Sequence, residues 1–492
     1  MAVTVNRKDI LFEADQTRVI ARFMYTSDER GMELINRLLL LTEKEQQAFL
    51  TQVLRDYSKR HRSISRIFEQ HFNKLAHLFT RLSIDPHTLT HTQRILIGSY
   101  FTMEYSIEAA AFFNPSIVED PDQSELAPGE KRVIISFRAT GEGHISSVVF
   151  RSGVIDTNNN IVIEPPGKML ESPAHIKNHT YHKASFQRKL KEMQDCNSIA
   201  YPVMMDKLTE SFTYEELKRY VEETRVLVNA DANSMVLLNE IMWLASSHYE
   251  IDFSVDTAIS ERVIFPIADT EMKGIEDARF VKFTDDDGEV TYYATYTAYD
   301  GITILPKLLR TKDFYHFKVM PVHGEVAQNK GMALFPRKIN GKFAMLCRID
   351  GVNNYISFSE NINVWRKAAL LQTPRFPWEF VQMGNCGSPV ETPDGWLVIT
   401  HGVGPVREYV LGVSLLDLQN PEKEIGRLST PLLVPNAKER EGYVPNVVYS
   451  CGSMIHGGNL VIPYAMSDYA STYATINLME LITELKKSSS AG

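Results

Sequence analysis

The chain has 492 residues, of which 44% are hydrophobic and 23% charged, and 61 acidic against 52 basic side chains leave a formal net charge of −9. That balance is ordinary for a globular protein and speaks against one built to grip nucleic acid, whose usual footprint is a basic face. It still allows a small cationic pocket, because net charge says nothing of local arrangement.

In chain order, residues 1–110 read as a helical region. Thr42 followed by Glu45 is a capping-box pattern, with apolar Phe49, Val53 and Leu54 at helical spacing behind it; further helices are expected over 61–81 and 91–111. Glycine is nearly absent, with only Gly31 and Gly98 before Gly129. From about Asn114 the texture turns to β: Val133-Ile-Ile-Ser-Phe, Ser146-Ser-Val-Val-Phe and Asn160-Ile-Val-Ile are strand-like runs between polar turns. A helical insertion interrupts them at about 184–250. From 260 to 475 strands return around Asp287-Gly288, Asn340-Gly341 and Asp394-Gly395, spaced by 53 and 54 residues, with His456-Gly-Gly-Asn as a fourth turn. Asp-Gly and Asn-Gly favour the tight turns of hairpins. A β unit of about 50 residues repeated in this way suggests propeller blades, with a β-sandwich as the alternative. The expected fold is mainly β with helical additions: a five-bladed β-propeller over 111–475, then a short helix from Ile476 to Lys487 and a Ser-rich tail in 476–492.

The cysteines, Cys196, Cys347, Cys386 and Cys451, are far apart and form no CxxC pair. This fits neither a disulfide framework nor a zinc site and implies a reducing compartment. No signal-type apolar core and no run of about 18 apolar residues is present, so a soluble, cytoplasmic protein without membrane association is expected. P-loop, GxGxxG, GxSxG and HExxH motifs are all missing, which weakens the NTPase, dehydrogenase, α/β-hydrolase and zinc-protease classes.

Several strings are more polar than turns require. GIEDARF places Glu276 and Asp277 side by side at the start of a strand, so their side chains are expected on opposite faces, with Arg279 on the face of Asp277. A carboxylate beside an arginine is ordinarily a structural ion pair; an acid donor in a polar cavity is the sharper reading. Arg138, Arg151, Lys330 and Arg348 lie within β runs and, with His401, would form an anion site if they converge. GNCGSPVETPDGW, REGYVPNVVY and the Tyr464-to-Asp468 segment combine close-approach glycines with polar and aromatic side chains, a mixture suited to hydroxyl-rich ligands.

Together with NKGMALFPRKINGKFAMLCR, these strings resemble glycoside hydrolase family 130, the β-mannoside phosphorylases and β-mannosidases, over about residues 112–475. The resemblance implies a five-bladed propeller with a central site and attack on a terminal β-mannoside with inversion. It makes Asp277 the general acid, its proton passing through a sugar hydroxyl. It implies a phosphate clamp of Arg138, Lys330 and His401, with Arg151 and Arg348 as further members. Asn114 and Ser116 match an early pocket motif, and Asp468 matches the aspartate that holds mannose hydroxyls. The wider substrate-contacting set comprises Glu276, Arg279, Tyr299, Asp300, Glu391, Tyr443 and Asn446.

The retained cations favour phosphorolysis, with inorganic phosphate as substrate and a mannose-containing oligosaccharide, β-1,2-linked by expectation, as its partner. An inverting hydrolase instead needs a carboxylate to activate water, for which Glu391 and Glu142 are candidates. A non-catalytic carbohydrate-binding propeller is the rival from another class, and a scaffold using the helical region is a further one. No metal or organic cofactor is indicated, and the N-terminal helices offer a surface for homo-oligomer formation.

Overall fold

The computed structural model describes residues 3–172, 181–193, 196–228, 231–301 and 304–489. The chain is mainly β, and among the described residues its α-helices are confined to the N-terminal region, one insertion and the C-terminal end, with only single 3-10 turns elsewhere. Two separate two-stranded pairs are Val19–Phe23 with Thr102–Ser106 and Tyr181–His182 with Ser211–Phe212; the other described strands form five successive antiparallel groups. In the first, Ala111–Glu119, Lys131–Thr140 and Ser146–Ile155 run side by side, flanked by Ile161–Ile163 and Val263–Ile264. In the second, Gly274–Thr284, Val290–Tyr299, Ile304–Thr311 and His316–Pro321 are followed at the edge by Tyr249–Asp252; a parallel contact of Gly274 with Ser146 joins the two groups. The third consists of Ala333–Leu334, Phe343–Cys347, Asn354–Ser359 and Ala368–Gln372. The fourth sets Gln382–Asn385 and Val390–Thr392 against Gly395–Val403, then Tyr409–Leu416 and Glu424–Arg427. The fifth sets Val448–Tyr449 and Met454–His456 against Asn459–Met466, then Ala470–Asn477, and is completed by Val5–Arg7 from the other end of the chain.

The first hairpin of each of the last four groups turns where the dipeptides indicated. Gly288, Asn340 with Gly341, Gly395, and Gly457 with Gly458 all have positive φ, the conformation for which glycine and asparagine are suited. Apolar side chains pack between neighbouring sheets, so Gly395–Val403 is buried along its whole length and reads as a nearly continuous apolar run.

Thr42 and Glu45 make the reciprocal capping box of the helix Glu43–Tyr57. The stretch read as one helix over 61–81 is two, Ile64–Asn73 and Ala76–Leu82, and the helix from His91 ends at Tyr100. Gly98 lets that helix cross Ile64–Asn73 closely: a Cβ there would run into the Phe68 carbonyl. Three strands lie inside the region expected to be helical. Val19–Phe23 pairs with Thr102–Ser106, and Val5–Arg7 leaves the region for the fifth sheet. Pairing partners distant in sequence decide these segments over local propensity. For the same reason the C-terminal helix begins at Leu478 rather than Ile476, because Ala470–Asn477 is held in the fifth sheet.

The insertion contains Lys183–Met193, Ala200–Lys207, Tyr214–Leu227 and Ala232–Ser246, packed around Met204, Leu217, Leu238 and Ile241. Residues 194–195 and 229–230 of the expected insertion lie outside the described residues, as do tail residues 490–492. No helix among the described residues is long and apolar enough to cross a membrane.

Candidate active site

Asp277 sits where its strand departs from regular pairing. The register with Val290–Tyr299 shifts between Glu276 and Arg279, and Asp277 has φ +54°. A bulge of this kind re-aims side chains, and it overturns the expectation that Glu276 and Asp277 face opposite ways. Both carboxylates meet Arg138: Glu276 Oε1 lies 2.7 Å from its Nη2, and Asp277 Oδ1 lies 3.6 Å from its Nη1. Lys330 Nζ closes on Glu276 at 2.5 Å, and Asn114 Nδ2 donates to Asp277 at 2.6 Å. Asn114 sits on a second shift, between Phe113 and Ser116, again at positive φ.

Asn114, Arg138, Asp277, Lys330, Arg348, His401 and Asp468 line one cavity of about 190 Å³. Gln382, Arg407, Tyr409, Val444, Val447 and Tyr449 complete it. Among the non-glycine residues with positive φ are Asn114, Asp277, Arg407 and Asp468, all on this wall, together with Asn329 and Asn446 beside it. Such conformations persist where surrounding structure over-determines them, and they cluster at functional sites.

Burial would raise the Asp277 carboxyl, but Arg138, Arg279 and Lys330, helped by the Asn114 amide, outweigh it and hold Asp277 below the usual aspartate range. Asp468 moves the other way. Burial, reinforced by Asp277 and Glu276 and opposed by Arg138 and Arg407, lifts it to about 6. His401, read as one of the cations, is neutral: burial, with Arg348 and Arg279 nearby, drives its imidazole well below 6.5. Its Nε2 lies 3.3 Å from Arg348 Nη1, its Nδ1 3.6 Å from Cys386 Sγ, and its ring stacks on Tyr409. The buried atoms Asn114 Oδ1, Arg279 Nε and Arg348 Nε have no hydrogen-bond partner among the described residues. Each such group costs free energy unless water or a ligand satisfies it, and comparable atoms occur elsewhere in the fold, so it is their meeting on one wall that bears on the site.

Other expected site residues stand elsewhere. Arg151 is not on the cavity; its Nη2 binds Glu108 at 2.9 and 3.0 Å, and Glu108 also takes Arg18 at 2.7 Å, a buried structural cluster. Glu391 is held by Arg337 at 2.9 and 2.7 Å and lines a different cavity. Ser116 lies behind the site, its Oγ accepting from the Phe280 N–H at 3.1 Å. Buried Arg279 donates to Tyr449 Oη at 2.7 Å and props the wall. Tyr299 bonds the Gly301 carbonyl at 3.0 Å, and neither it nor Asp300 lines the cavity. Tyr443 is exposed, stacked on His144 and not on the cavity lining, while Asn446 accepts from Arg440 Nε at 2.7 Å. Sequence reasoning missed Gln382, Arg407, Tyr409 and Tyr449. Tyr449, inside the highlighted REGYVPNVVY string, carried a signal, whereas Arg407 in an unremarkable turn carried none.

The segment 203–487, more than half of the chain, matches the sequence profile of a family described as β-1,4-mannooligosaccharide phosphorylase. The chain belongs to this family, glycoside hydrolase family 130. The family 130 segment contains Asp277, Lys330, Arg348, His401 and Asp468, while Asn114 and Arg138 precede it on the first sheet. A 1,2-β-oligomannan phosphorylase of Thermoanaerobacter sp. (strain X514) is 35% identical over 219 residues, 43% of this chain and 71% of that protein. A β-1,2-mannobiose phosphorylase of Listeria innocua is 30% identical over 234 residues, 45% of this chain and 63% of that protein. The solved structure of a Listeria innocua β-1,2-mannobiose phosphorylase with β-1,2-mannobiose superposes with a TM-score of 0.46 at 20% identity, covering 78% of this chain and 93% of that one.

Proposed function

We propose that the protein is an inverting phosphorylase that cleaves terminal β-1,2-linked mannosides with inorganic phosphate, giving α-mannose 1-phosphate, and that its five sheets are the blades of a β-propeller. The observation that carries the chemistry is the convergence of Arg138, Lys330 and Arg348 with Asp277 and Asp468 on one cavity. A phosphate dianion must be stripped of water beside a sugar, and preorganised cations replace that water. A phosphate oxygen attacks C1 from the face opposite the leaving group. The C1–O bond breaks, and the departing oxygen receives the proton that Asp277 supplies. Asp468, with a proton affinity near neutral, holds mannose hydroxyls. Bound phosphate offsets the cations that keep Asp277 ionised, so phosphate itself raises the proton affinity of the acid. The β-1,2 linkage is supported by the names of the relatives, and a reducing compartment such as the cytoplasm by the buried thiols of Cys347, Cys386 and Cys451, which form no disulfide. Phosphorolysis is favoured over hydrolysis because neither candidate base lines the cavity: Glu391 is paired with Arg337 in another cavity, and Glu142 is not part of the catalytic wall.

The test is incubation with β-1,2-mannobiose and with β-1,4-mannobiose, each with and without inorganic phosphate. The expected result is mannose 1-phosphate from the β-1,2 substrate only when phosphate is present. Phosphate-independent release of free mannose overturns phosphorolysis, and preferential turnover of the β-1,4 substrate overturns the linkage.

A further inference from the structure

The strand segments that reach the candidate active site continue, a few residues later, to a second cavity of about 310 Å³. Asn114 is followed by Ile117 and Glu119, Asp277 by Phe280 and Lys282, Lys330 by Pro336, Gln382 by Ser388, and Tyr449 by Ser453. Each of the five sheets therefore contributes to both cavities. At about 3.3 Å per residue, the step from Asn114 to Glu119 puts the two openings roughly 15 Å apart. Buried Arg279 and Cys451 stand between them.

The second cavity has the composition of a built site. Phe280, Pro336, Pro389 and Met454 give it an apolar floor. Its charges are already matched: Lys282 Nζ lies 2.6 Å from Glu119, and Arg337 forks onto Glu391 at 2.9 and 2.7 Å. A cavity whose cations are neutralised in this way does not select an anion, yet paired carboxylates keep free lone pairs for hydroxyl donors. Ser388 and Ser453 both line it, and their buried hydroxyl oxygens have no hydrogen-bond partner among the described residues; Ser388 as a whole is only 9% exposed. A buried hydroxyl without a partner costs free energy unless something satisfies it.

We propose that this opposite mouth is a second binding site for a neutral polyhydroxy ring, a hexopyranoside, distinct from the catalytic cavity. The apolar floor takes a ring face, Ser388 and Ser453 take hydroxyls, and Glu119 and Glu391 accept from others. Its volume lies at the lower end of the range for ligand pockets, which suits a small sugar.

The probe is methyl β-D-mannopyranoside, titrated into the full chain by calorimetry and by saturation-transfer NMR, with inorganic phosphate as competitor. Two binding equivalents per chain are expected. Ser453→Phe and, separately, Ile455→Trp fill the second cavity and each remove one equivalent, leaving the other equivalent and phosphorolytic turnover unchanged, which also shows that the variants fold. A single equivalent in the parent protein, two equivalents retained in both variants, or displacement of the Ser453-dependent equivalent by phosphate each overturn the proposal. If mannosides are not turned over at all, the proposed activity fails, while the Ser453-dependent equivalent still reports on this site alone.

Discussion

Asp277 and Asp468 line one cavity, and their proton affinities are pushed apart, Asp277 below the usual aspartate range and Asp468 up to about 6. By proton affinity alone the raised Asp468 would be the better acid of the two, so the proposed role of Asp277 depends on bound phosphate offsetting the cations around it. For Asp468 the displacement bears on stability. Its folded-state value lies above its unfolded one, so its favourable contribution is complete below about pH 4 and is lost as pH rises through about 6. Asp468→Asn removes the buried charge and should gain about 2–3 kcal/mol of stability at pH 8 and nothing near pH 4, as read by urea unfolding at the two pH values. A gain of equal size at both would mean that the effect is not electrostatic. For Asp277 the displacement bears on rate. Only the protonated acid can act, so activity declines as pH rises through its titration. Because bound phosphate offsets Arg138 and Lys330, that decline should fall at higher pH under saturating than under limiting phosphate. Superimposable pH profiles at the two concentrations would remove the coupling.

Among the elements, the strand pair Gln382–Asn385 and Gly395–Val403 sets His401 through its partner Gly384, with which it is in register. A Cβ on Gly384 would collide with the His401 imidazole. Gly384→Ala should therefore displace the ring and, through its contact with Arg348, raise the KM for phosphate about tenfold, with a smaller effect on kcat; an unchanged phosphate KM would show that His401 does not position Arg348. This dependence shows what was legible in the sequence and what was not. Asp287-Gly288, Asn340-Gly341 and Asp394-Gly395 announce their hairpins because a turn is decided by the residues within it. The bulges at Asn114 and Asp277 are decided by contact between sheets, so the strand pattern placed Glu276 and Asp277 on opposite faces when both meet Arg138. Arg151 and Arg348 each follow an apolar strand and looked equivalent. One is taken by Glu108, in the turn that leads into the first sheet, the other lies 3.3 Å from His401, and only partners distant in sequence separate them. Glu391 looked like a second catalytic carboxylate because its string also holds Gly384 and leads to His401; the non-strand stretch 386–389 carries the chain from one strand to the next and sets Glu391 on the second cavity.

For the molecule as a whole, the fifth sheet is completed by Val5–Arg7, with Val5, Asn6 and Arg7 opposite Ile476, Thr475 and Ala474. The chain's two ends thus share a sheet, and the unit containing the site is not finished until the first residues are in place. Arg7 adds a second tie: its Nε lies 3.0 Å from Glu439, whose carboxylate also takes Tyr464 Oη at 2.7 Å and the Asn436 N–H at 2.9 Å. Glu439 belongs to the loop that continues to Val444 and Val447 on the cavity wall, and its carbonyl accepts from Ser467, the neighbour of Asp468. Removal of Arg7 leaves a buried carboxylate with two neutral donors and no cation, a loss of about 1–3 kcal/mol. Arg7→Ala should therefore lower stability by that amount in urea unfolding and raise the KM for mannoside several-fold, because the loop and Asp468 lose a common anchor, while kcat changes little, because Asp277 and the cations lie on other sheets. Deletion of residues 1–8 should cost more than Arg7→Ala, since it removes the backbone pairing as well; equal losses in the two variants would show that the ion pair, and not the strand, closes the fifth sheet.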